Sequence, residues 1–158
     1  MTRTLLPALL LLVPAAACGG GDGDGGGEPL LAGSMAGEYD GNSFTPANGF
    51  ATVYQGANLI GVGDGPIRCD SVDDDDPPSG TNAAFAVPAF EAGTYANVLV
   101  QLYRNVDGFE GVGSNQGSVT LEEATDTSVA GSVEYDYTDD DGRHFAISGT
   151  FEVVRCAP

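Results

Sequence analysis

One histidine, three cysteines and two runs of aspartate carry most of the side-chain chemistry open to this 158-residue chain. His144 is the only base of its kind, and nucleophilic hydrolysis needs a serine or cysteine held beside such a base. No serine stands in a G-x-S-x-G elbow. His144 opens a strand-like stretch on the face opposite Phe145, which places it at a solvent rim. No catalytic residue is assigned on this pattern, and the chain reads as a non-enzyme. The aspartate runs, Asp73, Asp74, Asp75 and Asp76, then Asp139, Asp140 and Asp141, are the weak candidates for a metal. Calcium takes six to eight oxygens at about 2.3 to 2.6 Å. Two features argue against a calcium loop. Tyr137 occupies the place of the first acid in a D-x-D-x-D-G frame, and consecutive acids point in different directions. Solvated charge is therefore the leading reading of both runs. Gly111 to Gly117, GVGSNQG, misses the phosphate-cradling G-x-G-x-x-G by one residue and opens no helix, so it reads as a flexible turn. Carboxylates are plentiful, but a glycosidase needs a spatial pair across a cleft. A carboxylate-based hydrolase has no sequence feature in its favour.

Cys18 belongs to different chemistry. Met1 to Thr4 carries one positive charge, Arg3, and Leu5 to Val13 is apolar apart from Pro7. This is the layout of a secretory signal peptide, too short to span a bilayer, which takes about 20 apolar residues. Ala15, Ala16 and Ala17 before Cys18 resemble the lipobox of bacterial lipoproteins, whose cysteine sulfur receives a diacylglyceryl group before cleavage. Ala15 stands where that family usually has leucine. The alternative is an ordinary secretory cut after Ala17 that leaves Cys18 a free thiol. The resemblance implies a membrane partner through N-terminal acyl chains, since two lipid signals already suffice for stable attachment. Gly19, rather than an aspartate, follows the cysteine and implies the outer membrane, with the domain periplasmic or surface-exposed.

With Cys18 assigned to lipid, Cys69 and Cys156 are left to pair, and an oxidising compartment makes a disulfide the default. The closed loop is long, which gives an upper figure of about 4 to 5 kcal/mol in the chain-entropy treatment. Metal ligation by these two lacks company, because there is no C-x-x-C and only one histidine.

Residues 1–17 are thus read as signal peptide, 18–35 as the lipidated cysteine with a flexible acidic tether, and 36–158 as one domain. Gly19 to Gly27, GGGDGDGGG, cannot bury apolar surface. As a flexible coil the tether would reach about 20 Å. DGDGGG lacks the third acid and the closing glutamate of a calcium loop. The formal charge is −18, and all five basic residues are arginines, so nucleic acid, which demands a basic footprint, is excluded as a partner.

The elements that must position these groups are strands. After Gly33 no apolar period of 3.6 residues is sustained, and a two-residue period broken by Gly, Asn and Asp recurs. Glu38 to Phe44 is predicted as a hairpin around Asp40-Gly41-Asn42. Gly49 to Tyr54 and Asn58 to Val62 are joined at Gln55-Gly56. Asp70 to Thr81 is predicted as an acidic loop and Asn82 to Val87 as a strand. Tyr95 to Arg104 is apolar on both faces and so reads as central. Asn105 to Gly117 is predicted as loop. Two long strands around Thr138 to Gly142 form the clearest hairpin. Cys156 has the opposite parity from Val153, which requires either a bulge at Val153-Val154 or a strand that has already ended.

About eight strands without a helix predict an all-β fold, an antiparallel sandwich or small barrel. The stretches GSVTL, VAGSV and ISGTFEV near the C-terminus resemble the β-rich domain of uncharacterised bacterial lipoproteins, a family with no established activity. The leading expectation is a lipid-anchored structural or interaction domain that meets an envelope protein or a glycan and uses no cofactor. A calcium-dependent, glycan-binding module is the alternative.

Overall fold

Alternation of apolar and polar side chains builds the wall of this protein, and the burial follows it residue by residue. In the computed structural model, which describes residues 31–67, 69 and 78–156, Val129, Val133 and Tyr135 are buried while Glu134 and Asp136 between and beyond them are exposed. Cys18, the glycine tract and Asp73 to Asp76 lie outside the described residues.

The described residues form nine strands and no helix: β1 (Ala32–Tyr39), β2 (Asn42–Phe44), β3 (Asn48–Tyr54), β4 (Ala57–Gly63), β5 (Gly80–Val87), β6 (Gly93–Asn105), β7 (Phe109–Ala124), β8 (Ser128–Thr138) and β9 (His144–Arg155). The β1–β2 hairpin turns on Asp40-Gly41, with φ of 48° and 76°. The β3–β4 hairpin turns on Gln55-Gly56, with φ of 49° and 83°. Both are two-residue turns that need positive φ at each position, which is why glycine stands second.

Strands β3 to β8 run as a meander, and β9 closes it. One edge of β9 pairs with β8 from His144 to Val154. Its other edge is divided: β1 pairs antiparallel along Phe145 to Glu152, and beyond Val153 β3 pairs in parallel, Phe50 against Val154 and Ala51 against Arg155. Seven strands therefore close into a barrel, with β1 and β2 extending the sheet from β9. Leu31 N–H donates to the Ala47 carbonyl (3.1 Å), so β1 and β3 meet end to end along β9. Followed from Val154 through Phe50, Gly61, Ala84, Gln101 and Gly113, the ladder returns toward the opposite end of β9. That stagger is large for seven strands and means steeply tilted strands.

The inward faces meet in one core. Phe85, Phe145, Ile60, Leu102, Leu121 and Ile147 are among its fully buried side chains. Phe85 packs on Phe151 at 5.8 Å between ring centroids, and Tyr39 meets Phe145 edge-on at 5.1 Å. These residues come from both halves of the wall and fill the space that the tilt opens.

Three boundaries differ from the sequence reading. Strand β1 begins at Ala32, inside the stretch read as tether, because β9 offers Ala32 to Met35 a complete pairing partner. The acidic loop ends before Gly80, where β5 begins. The expected loop from Asn105 to Gly117 is largely strand: β7 starts at Phe109, and Gly111 to Gly117 pairs with β6 instead of turning. Its glycines carry no β propensity, and the long apolar template of β6 supplies the order instead. The ladder shifts register between Ala96 and Val98 and again between Val98 and Val100.

Candidate functional site

The sequence-predicted residues fall into separate places. His144, at the start of β9, lies between two carboxylates from its neighbouring strands. Glu38 on β1 and Asp136 on β8 both stand opposite Ala146, one on each side. His144 reaches back to each: Nδ1 donates to Glu38 Oε1 (2.8 Å), and Nε2 lies 3.3 Å from Asp136 Oδ2. The hydrogen bond to Glu38, then that to Asp136, raises the pKa of His144 above 6.5. The His144 ring is a half-exposed clamp across three strands. The carboxylates occupy opposite ring nitrogens, so one metal ion bound to either nitrogen cannot take both. Sequence order concealed this trio, because Glu38 is distant from His144 along the chain.

Asp139 is committed to its turn. Its Oδ1 accepts from the backbone N–H of Asp141 (3.0 Å) and of Arg143 (2.9 Å), and its Oδ2 accepts from Arg143 Nε (2.8 Å). Burial pushes this carboxyl up, but the bonds from Arg143 and Asp141 outweigh it and hold the pKa below its ordinary value. The Arg143 guanidinium also lies over the Phe145 ring, 5.6 Å from its centroid. Among the described residues no three His, Cys, Asp or Glu side chains gather in a geometry suited to a metal ion.

Cys69 and Cys156 are joined, 87 residues apart in sequence. Strand β9 ends at Arg155, so of the two ways to aim Cys156 inward the strand end is the one used. Cys156 N–H donates to the Ala51 carbonyl (2.8 Å), directly beside the short β3–β9 pairing. The bridge therefore fastens the loop after β4 to the seam at which the barrel closes.

The site that sequence reading missed is the β6–β7 hairpin. Asn105 pairs with Phe109 around a three-residue loop, Val106 to Gly108, with Gly108 at φ 143°. Leu102 is buried and its partner Val112 packs on the core, so Gln101, Tyr103, Gly111 and Gly113 alternate to the outer face. Gly113 stands opposite Gln101 and Gly111 opposite Tyr103, and the Gln101 side chain and the Phe109 ring pack over these two glycines. Phe109 packs against Tyr103 at 5.6 Å between centroids with planes inclined by 35°. Phe109 is nevertheless 61% exposed and Val106 59%. Two clefts adjoin across Phe109. One, of about 290 Å³, is lined by Arg104, Val106, Asp107, Gly108, Phe109 and Glu110. The other, of about 220 Å³, includes Gln101, Tyr103, Phe109, Gly111 and Gly113 in its lining. Burial alone pushes the Tyr103 phenol up to about 12. The hairpin also reaches toward β1: after burial, Glu110 is the next influence raising the pKa of Tyr39, with Arg104 opposing it. One signal was legible, the Asp107-Gly108 dipeptide between two apolar residues, a hairpin turn in its own right.

Fold and surface together define a small, steeply sheared β-barrel with a packed interior and an aromatic hairpin on its outside. Comparison with known proteins adds no kinship: no family model, no curated protein and no solved structure matches the chain.

Proposed function

We propose that this protein is a lipid-anchored envelope domain that works by holding a partner on its outer surface rather than by turning over a substrate. The observation that carries the reading is the filled barrel. Large side chains from β4, β5, β6, β7, β8 and β9 occupy the interior as one cluster, so recognition falls to the wall and its hairpins. The ionisable groups that do come together, His144 with Glu38 and Asp136, and Asp139 with Arg143, satisfy one another as structural pairs. Support for the anchor is the apolar run ending in Ala17-Cys18 and the glycine tract after it. The Cys69–Cys156 bridge suits an oxidising compartment.

The test is fractionation of cells that express the full chain and are fed an alkyne-tagged fatty acid. Wild-type protein takes up the tag and sediments with the outer membrane, and Cys18→Ala loses the tag and becomes soluble. An untagged wild type, or a Cys18→Ala variant that stays in the membrane fraction, refutes the anchor.

A further inference from the structure

We propose that Asp107-Gly108, at the tip of the β6–β7 hairpin, is a site of spontaneous covalent modification, where the folded chain isomerises aspartate to isoaspartate through a succinimide. In the first step the Gly108 backbone nitrogen attacks Cγ of Asp107, with the carboxyl in its protonated form. An N–Cγ bond forms, the nitrogen gives up its proton, and the carboxyl hydroxyl leaves with that proton as water. In the second step water adds to one of the two ring carbonyls, and the ring C–N bond at that carbonyl breaks. Opening at Cγ restores aspartate. Opening at the α-carbonyl sends the backbone through the side-chain methylene and leaves the former main-chain carbonyl as a carboxylate. Water is the only co-reactant, released in the first step and consumed in the second. The ring closure is intramolecular, so its rate depends on whether the nitrogen can reach the carboxyl carbon. A glycine nitrogen is the least obstructed, because its residue has no Cβ.

Four Asp-Gly pairs lie among the described residues, and the fold holds three of them. Asp40 N–H donates to the His144 carbonyl (2.9 Å), and the Asp40 carbonyl accepts from Asn42 Nδ2 (3.0 Å). Asp64 Oδ1 accepts from Thr81 N–H (2.7 Å), while Gly65 is packed against the Ser79 carbonyl. At Asp141-Gly142 the attacking nitrogen is itself engaged: Gly142 N–H donates to the Asp139 carbonyl (3.0 Å), and Asp141 N–H donates to Asp139 Oδ1 (3.0 Å). Asp107-Gly108 has none of these restraints. Both residues are exposed, and among the described residues no hydrogen bond reaches the Asp107 carboxylate or the Gly108 N–H. Nothing lies within 4 Å of the point where a Gly108 Cβ would stand. The loop is closed beneath the tip by the Asn105–Phe109 pair, so the added backbone atom is absorbed in Val106 to Gly108. The product would mark aged copies on the surface assigned above to recognition. The chemistry needs neither anchor nor partner, so this test and the fractionation experiment can fail separately.

The experiment is prolonged incubation of the full-length protein, purified in detergent, in neutral buffer, beside a sample unfolded in guanidinium with its disulfide reduced. Digestion followed by electron-transfer fragmentation, which breaks the isoaspartyl Cα–Cβ bond, assigns the isomer to a residue. In the unfolded sample all four pairs should isomerise at similar rates. In the folded sample isoaspartate should accumulate at Asp107 at a rate close to the unfolded one, preceded by a species lighter by one water, while Asp40, Asp64 and Asp141 remain aspartate. Asp107→Glu, whose longer side chain would have to close a six-membered ring, should lose both the lighter species and the isomer at this position and keep the wild-type Tm. Absence of isoaspartate at Asp107 in the folded protein overturns the proposal. Isomerisation of Asp40, Asp64 or Asp141 at a matching rate in the folded protein overturns it too, as does persistence of the lighter species on the fragment that carries Asp107→Glu.

Discussion

Removal of the Cys69–Cys156 bridge should cost this domain much of its stability without changing its shape. The perturbation is the double variant Cys69→Ser with Cys156→Ser, which removes both thiols together. The bridge spans 87 residues, and the loop-closure entropy it removes from the unfolded chain is worth about 4.5 kcal/mol. For a domain of about 120 described residues, an unfolding entropy of about 2.1 cal/mol/K per residue converts that loss into a fall in Tm of roughly 15 to 20 °C. The folded state has reason to persist, because the seam beside the bridge is held by more than sulfur. Phe50 and Ala51 remain paired with Val154 and Arg155, and Cys156 N–H donates to a backbone carbonyl, a bond that serine retains. Scanning calorimetry of wild type, wild type with reductant and the double variant gives the answer, with amide shifts of the folded protein as the control for shape. Wild type with reductant should match the double variant. A fall of less than about 5 °C would refute the entropic reasoning, as would a reductant effect on the variant that has no thiols at these positions.

Other perturbations follow from the same geometry. Phe85→Ala empties a fully buried ring site against Phe151 and should cost about 3 to 5 kcal/mol in denaturant unfolding. Gly149→Ala places a Cβ against the Ser34 carbonyl at a φ of 128°, so it should cost about 2 to 5 kcal/mol and loosen β1 first, read by hydrogen exchange. The contribution of His144 should be present below its ordinary pKa of 6.5 and fade as pH rises through the higher folded value. Glu38→Gln should lower the value read from the imidazole resonances, and an unmoved titration would contradict the clamp. Asp139 runs the other way: its stabilisation should hold above 3.8 and disappear as pH falls through the depressed folded pKa, and Arg143→Ala should raise that midpoint.

How much of this was legible in the sequence depended on whether the cause was local. Asp40-Gly41 and Gln55-Gly56 announced their hairpins because a two-residue turn imposes its own backbone chemistry. Phe145, Ile147, Phe151 and Val153 announced an inward face because parity along a strand is local as well. The parity of Cys156 even narrowed the end of β9 to two options. The first half of β7 was illegible, since Gly111, Gly113 and Gly117 have no strand preference and draw their order from β6 across the ladder. The same holds for the two candidate sites. Glu38, Asp136 and His144 meet only because β1 and β8 flank β9. The Tyr103–Phe109 platform exists only because Gly111 stands opposite Tyr103, a matter of register that no spacing reveals.

The position of β9 has a consequence for the life of the chain before it is folded. Strands β1, β3 and β8 all wait for it: β1 has no other partner along Ala32 to Ala36, and β3 has none but β4. Before β9 is available the described strands are therefore a hairpin, β1–β2, and a meander, β3 to β8, with unfilled edges, and closure depends on non-local pairings of β9 with β1 and β3 that are slow to form. A chain arranged this way delays its own closure until its final strand is in hand. For a protein exported as proposed here, that delay keeps the polypeptide threadable through a narrow channel, and the barrel and its disulfide can then form together on the far side.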